Sequence, residues 1–190
     1  MKNDIILSGV GGQGILSIAA VIGFAAVENN LFIKQAEVHG MSQRGGDVQS
    51  HMRISDSEVS SDLIPYGSAD LILSVEPMES LRYLPWLSPS GYLVTSSNPF
   101  NNIADYPDLE AIYSEIKKVK NHVLVDAESV AREVGNHRVA NIIMLGAASH
   151  FINVPYNSLE NAVRKLFGRK GEELVDLNIR ALKAGAELVK

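Results

Sequence analysis

The run Gly9-Val10-Gly11-Gly12-Gln13-Gly14 constrains the fold of this chain more than any other segment. It has the form G-x-G-x-x-G, follows an apolar stretch at residues 5–7 that predicts a buried strand, and opens a helix predicted over residues 13–28. Glycines at such a junction permit a tight turn and let backbone N–H groups approach an anion at the helix N-terminus. Two interpretations stay open: a phosphate- or nucleotide-binding loop, or a turn whose glycines only allow close packing.

A second glycine-containing loop follows. Residues 32–38 predict another strand, and residues 47–54 alternate between apolar and polar side chains, which predicts a half-exposed strand. The short connection at residues 39–46 favours an antiparallel hairpin, because a parallel crossover needs about a dozen residues or more. In this connection Arg44 stands beside Gly45-Gly46, and a guanidinium next to exposed backbone donors suits a carboxylate or phosphate. The alternative is a connection whose glycines serve only turns with positive φ.

Both loops leave the carboxyl ends of their strands. If the two strands are parallel neighbours, the loops lie at the same edge of the sheet, where open α/β sheets bind ligands or partners. Glu37, at the end of the second strand, stands about where a dinucleotide-binding fold places its ribose-binding acid.

The remaining pattern predicts an α/β fold. Residues 69–75 and 91–96 predict central buried strands, residues 139–152 a buried apolar helix, and residues 157–160 a capping box that opens the next helix. We therefore expect a single domain over residues 1–190, a three-layer α/β/α structure with a Rossmann-like mixed sheet, one antiparallel hairpin and a helical C-terminal segment. One face of the last helix is predicted to carry Leu174, Leu177, Ala181, Ala184 and Leu188.

Composition excludes several function classes. The net charge of −5 offers no basic excess for non-specific nucleic-acid binding. The chain has no cysteine, which excludes disulfides and cysteine-ligated zinc or iron–sulfur clusters within it, and its five histidines show no metal-type spacing. No signal peptide, membrane-length apolar run or nucleophile motif is evident, so we expect a cytoplasmic protein without catalytic or metal-ligating residues of its own. Such a chain suits a subunit of a larger enzyme.

Three segments carry a family resemblance. Residues 9–14, 37–48 and 50–54 closely resemble the gamma-type domain of 2-oxoacid (pyruvate/ketoisovalerate):ferredoxin oxidoreductases, and within this family the chain is most similar to the indolepyruvate beta-subunit group. Residues 135–146 also resemble a family pattern, and the likeness covers nearly the whole chain.

The resemblance implies a complex of anaerobic metabolism that oxidatively decarboxylates a 2-oxoacid with coenzyme A and reduces ferredoxin. Thiamine diphosphate and iron–sulfur clusters would belong to a large partner subunit, and this chain, inactive alone, would bind neither. It would contact ferredoxin only through the complex, would meet no nucleic acid or membrane, and could form a homodimer when isolated through its apolar C-terminal helices. The positions expected at the partner interface or coenzyme A site are Gly11, Gly12, Gln13, Gly14, His39, Gln43, Arg44, Gly45 and Gly46.

Two rival hypotheses stay open at this point. The chain could be a stand-alone nucleotide-binding or sensor module that uses the loop at residues 9–14. A free NAD-dependent dehydrogenase is a weaker rival, because the early hairpin departs from a Rossmann unit.

Overall fold

The computed structural model describes residues 1–40, 45–101 and 103–189 of the chain. The described residues form a six-stranded mixed sheet in the order β2-β3-β1-β4-β5-β6. The strands are β1 Lys2–Val10, β2 Phe32–His39, β3 Asp47–Ser55, β4 Ala69–Ser74, β5 Leu87–Ser96 and β6 His122–Val125. The helices are α1 Ile15–Glu28, α2 Pro77–Arg82, α3 Leu109–Lys118, α4 Ala127–Val134, α5 Ala140–Ala148, α6 Tyr156–Phe167 and α7 Glu172–Glu187.

The sheet confirms the predicted antiparallel hairpin, but it does not make the first two strands neighbours. β2 and β3 pair antiparallel, while β1, β4, β5 and β6 are parallel. β1 and β2 are not neighbours, because β3 lies between them and pairs antiparallel with both. Two strands antiparallel to a common neighbour run in the same direction, so the carboxyl ends of β1 and β2 still lie at one edge of the sheet.

Two helical layers enclose the sheet, which confirms the α/β/α class. On one face α1, α4, α5, α6 and α7 surround the larger core, and on the other α2 and α3 cover a smaller core that contains Ile6, Ile72 and Leu93. Half of the residues of α1 are buried, whereas Leu16 and Val27 are 56% and 60% exposed. Within the described parts of the chain, every helix falls short of the length and hydrophobicity that a membrane span requires.

The prediction that β3 is half exposed is wrong. His51, on the face predicted to meet solvent, is buried, and its Nδ1 accepts a hydrogen bond from the Ile64 backbone N–H at 3.0 Å. Arg53 on the same face donates to the carbonyl oxygens of Ser61 and Leu63, both at 3.1 Å. The segment between β3 and β4 therefore folds back over the sheet, a non-local contact that a period-two pattern does not reveal.

The C-terminal helices differ from the prediction in where they begin and in which side chains they bury. α6 starts at Tyr156, and Pro155 occupies the N-cap position with a non-helical ψ of 138°. The predicted capping box is therefore wrong, and the Ser158 hydroxyl instead accepts a hydrogen bond from Asn29 Nδ2 at 2.8 Å. α5 is a shorter helix than predicted, flanked by 3₁₀ turns at residues 137–139 and 149–151. α7 buries Val175, Asn178, Ala181, Leu182 and Gly185, and Leu188, the residue directly after it, is exposed.

Candidate functional site

The two glycine loops meet at the carboxyl edge of β1. The Gly11 N–H donates to the Gly46 carbonyl at 2.8 Å, and the Gly45 N–H donates to the Gly11 carbonyl at 3.3 Å. The hairpin connection closes with a bond from the Gly40 N–H to the Asp47 carbonyl at 2.7 Å. The structure thus brings together predicted site residues that are more than thirty positions apart in the sequence.

Gln13 fastens this edge. Its Oε1 accepts a hydrogen bond from the Val10 N–H at 2.7 Å, and its Nε2 donates to the Val75 carbonyl at 3.3 Å. The side chain therefore joins the ends of β1 and β4. Gln13 was predicted as a site residue, but the oxygen and the nitrogen of its side-chain amide both bond to the backbone of these strand ends.

Gly14 forms the start of α1. Its φ of +81° is left-handed, a conformation that glycine adopts at little cost, and its carbonyl accepts a hydrogen bond from Asn141 Nδ2 at 3.1 Å. A Cβ at this position would lie 2.5 Å from the same Asn141 nitrogen. The first N–H groups of a helix have no intrahelical partner and carry the positive end of its dipole, so this turn presents donors suited to an anion.

A cleft of about 900 Å³ opens beside this helix end. It lies where the strand connections diverge, because α1 leaves β1 on one face of the sheet and α2 leaves β4 on the other. Open α/β sheets bind their ligands at such a switch point. Around the turn at residues 12–14, the cleft is lined by polar and aromatic side chains that include Ser17, Asn98, Phe100, His137, Arg138, Asn141, Lys170 and Asn178.

The cationic side chains that line the cleft belong to the C-terminal half of the chain. Arg138 and Lys170 are exposed, and Asn136 Oδ1 accepts a hydrogen bond from the Arg138 backbone N–H at 2.9 Å, which fixes the turn before α5. The acidic Glu128 also lines the cleft, with its carboxylate 3.9 Å from the Arg132 guanidinium. Sequence reasoning gave these positions no site role, although residues 135–146 had stood out as a family pattern.

A buried carboxylate supports the cleft from beneath. Glu76, fully buried at the N-cap of α2, accepts hydrogen bonds from the Glu79 N–H at 2.7 Å, the Phe100 N–H at 3.3 Å and the Tyr106 hydroxyl. Burial, together with the Glu76 carboxylate, raises the pKa of Tyr106 above its ordinary value, so this phenol stays a donor at neutral pH. Glu76 therefore fixes the loop that carries Phe100 into the cleft.

His39 and Glu37 do not line the cleft. His39 ends β2, half exposed, with its Nε2 paired to Glu37 Oε1. Glu37 sits two strands from β1, about 10 Å across the sheet at the usual strand spacing, which is not the adjacent position of a ribose-binding acid. Gln43 and Arg44 lie outside the described residues. Among the residues that the structure describes, no cluster of three or more His, Cys, Asp or Glu side chains could hold a metal ion.

Comparison with known proteins shows the family. The model of the pyruvate ferredoxin/flavodoxin oxidoreductase family matches residues 4–188. The indolepyruvate oxidoreductase subunit IorB of Archaeoglobus fulgidus is 36% identical over 97% of this chain and 94% of its own length.

Solved structures have the same fold. The gamma subunit of a keto/oxoacid ferredoxin oxidoreductase from Geobacter sulfurreducens superposes with a TM-score of 0.71 at 25% identity, over 98% of this chain and 97% of its own. A longer chain, the 2-oxoglutarate:ferredoxin oxidoreductase of Magnetococcus marinus, gives a TM-score of 0.78 at 22% identity over 98% of this chain and 31% of its own. These similarities do not support a stand-alone nucleotide-binding or sensor module. The chain belongs to the pyruvate ferredoxin/flavodoxin oxidoreductase family, as a subunit of a 2-oxoacid:ferredoxin oxidoreductase.

Proposed function

We propose that the chain is the small subunit of an indolepyruvate or related aryl-pyruvate oxidoreductase, and that its cleft binds the nucleotide end of coenzyme A. The indolepyruvate specificity follows the relative from Archaeoglobus fulgidus. Thiamine diphosphate and iron–sulfur clusters on a large partner subunit would supply decarboxylation and electron transfer. The part of this chain is to hold coenzyme A at the edge that faces the partner.

The observation that carries the proposal is the chemistry of the cleft. A helix N-terminus opened by Gly14, with Arg138 and Lys170 at the rim, suits the phosphate groups of coenzyme A. Phe100, 39% exposed, offers a ring face on which an adenine could stack. The chain from Magnetococcus marinus was solved with 2-oxoglutarate, coenzyme A and succinyl-CoA bound, which supports the assignment at the level of a shared fold.

Removal of the rim cations tests coenzyme A binding. In the complex with its large subunit, Arg138→Ala and Lys170→Ala are each expected to raise the Kd and KM for coenzyme A about three- to tenfold, because each removes a charge-assisted contact to phosphate that solvent partly screens. Calorimetric titration with coenzyme A measures Kd independently of turnover. Lys117→Ala, an exposed lysine on α3 outside the cleft, is the matched control and should leave both constants unchanged. Unaltered affinity in both rim variants would exclude the cleft as the nucleotide site.

We further propose that the edge formed by Gly11, Gly45 and Gly46, with His39 beside it, contacts the large subunit. The reciprocal backbone bonds that join the two loops and the half-exposed His39 support this placement. From the sequence of the hairpin connection, Arg44→Ala is expected to lower the activity of the complex while the separate chain keeps its fold. Turnover of the complex and the circular dichroism of the chain check this. Unfolding of the variant chain would instead make Arg44 a structural residue.

A further inference from the structure

The turn at residues 11–14 borders the cleft and is bonded to the connection between β2 and β3. Gly11 exchanges backbone hydrogen bonds with Gly45 and Gly46, and Asp47, the next residue, begins β3. Asp47 is the cross-strand partner of Val10. A shift of Asp47 would therefore be passed to Gly11 through two backbone hydrogen bonds and one strand pairing.

Asp47 is in turn held by a tyrosine on the opposite face of the sheet from α1. The Tyr83 hydroxyl lies 2.8 Å from Asp47 Oδ1 and 2.9 Å from Oδ2, so it donates to this carboxylate. Tyr83 follows α2 and is 2% exposed within the smaller core. Burial, together with the Asp47 carboxylate, raises the pKa of Tyr83 above its ordinary value, so the hydroxyl keeps its proton at neutral pH.

The groups around this contact are themselves fixed. Glu79 is buried on α2 and receives a two-pronged contact from Arg82, with Nε–Oε2 at 2.8 Å and Nη2–Oε1 at 3.2 Å. Burial raises the pKa of Glu79, Arg82 opposes that rise, and the neighbouring Asp47 adds to it. Asp47 thus faces the carboxyl group of Glu79 on α2 and the hydroxyl donor of Tyr83 directly after that helix.

We propose that Tyr83 is a positioning residue for the cleft, which through Asp47 and the Gly45-Gly46 backbone sets the orientation of the turn at residues 11–14. The inference rests on the proposed binding of coenzyme A in the cleft. Backbone N–H donors bind an anion well only when they are held close to the productive geometry, within about 0.5 Å. Tyr83 has this effect without touching the ligand, since it lies in the smaller core and does not line the cleft.

The test separates positioning from support of the fold. In the assembled complex, Tyr83→Phe is expected to raise the KM and the calorimetric Kd for coenzyme A about threefold or more, with kcat at saturating coenzyme A and the KM for the 2-oxoacid unchanged, because only the turn is loosened. Tyr156→Phe is the matched control. It removes a buried phenol oxygen that has no hydrogen-bond partner among the described residues, and it should leave every constant unchanged.

Asp47→Ala removes the other end of the same hydrogen bond and should reproduce the rise in KM, so it replaces Tyr83→Phe if that variant does not fold. The inference is overturned if the folded variant keeps the wild-type coenzyme A constants, or if kcat and both KM values change together. Failure of the proposed function looks different. In that case Arg138→Ala and Lys170→Ala leave coenzyme A affinity unchanged, whatever Tyr83→Phe does.

Discussion

Replacement of Gly185 by alanine is expected to destabilise the chain by about 3 kcal/mol or more, the upper range for an overpacked core. Gly185 lies on α7 where it crosses α5, and an added Cβ would stand 2.0 Å from the Ile143 carbonyl oxygen and 2.8 Å from its carbon. Gly146 on α5 faces the same contact, with a Cβ position 2.1 Å from the Leu182 oxygen. Both obstacles are backbone atoms of helices, so no rotamer change relieves them, and the two helices must move apart.

The opposing effect is helix propensity, which favours alanine over glycine by about 1 kcal/mol in a helix interior. Gly23→Ala in α1 isolates that term, because the nearest atom to its Cβ position is Ile33 Cδ1 at an ordinary contact distance of 3.5 Å. We expect Gly23→Ala to be neutral or stabilising. Guanidinium denaturation of the full chain, with the two variants compared at equal m-values, measures both. Equal stability of Gly185→Ala and the wild type would show that the backbones of α5 and α7 leave room for a Cβ at this crossing.

Local patterns predicted the five longer strands, the first helix and the hairpin, but not the order of the strands. The connection between β2 and β3 is too short for a crossover, so antiparallel pairing could be read from length alone. The insertion of β3 between β1 and β2 depends on pairings between distant residues such as Asp4 and Arg53. No periodicity within either strand encodes such a contact. The exposed face expected for β3 was wrong for a separate reason, since the segment between β3 and β4 covers it.

The candidate site likewise contains residues that the sequence identified and residues that only the fold brings together. Gly14 was identifiable because a left-handed start of a helix after a strand favours glycine, and a glycine-rich pattern marks it in the sequence. Arg138 and Lys170 are ordinary surface cations by sequence, and only the fold brings them to the helix end at Gly14. The useful signal was the Gly135-Asn136-His137-Arg138 turn, in which Gly135 ends α4 in a left-handed conformation.

Removal of Arg53 is the second change for which we expect a large loss of stability. Arg53 and Asp4 are direct cross-strand partners of β3 and β1, with Nε–Oδ1 at 2.8 Å and Nη2–Oδ2 at 3.2 Å. The Asp4 side chain is fully buried, and its other cation, Lys2 at 2.8 Å, is half exposed. Arg53→Met is therefore expected to cost about 3 to 5 kcal/mol, because it leaves a buried carboxylate without its main partner.

Arg132→Met is the matched control for this pair. Arg132 faces Glu128 at 3.9 Å on the surface of α4, with both side chains more than half exposed, so its loss should cost less than about 1 kcal/mol. Denaturation of the full chain measures both variants, and a similar small loss in each would show that the Asp4–Arg53 pair contributes no more than a surface pair.

The double variant Asp4→Leu, Arg53→Met then separates stability from strand register. It should recover part of the lost free energy of unfolding, since no unpaired charge is left buried. The pairing of Asp4 with Arg53 belongs to the same register that sets Val10 opposite Asp47, six residues after Asp4 on β1 and six before Arg53 on β3. If the ion pair specifies that register, the double variant regains stability but binds coenzyme A more weakly in the complex, because the two glycine loops no longer align. If the double variant regained both its stability and its affinity for coenzyme A, the ion pair would not be needed to specify the strand register, and hydrophobic packing would suffice.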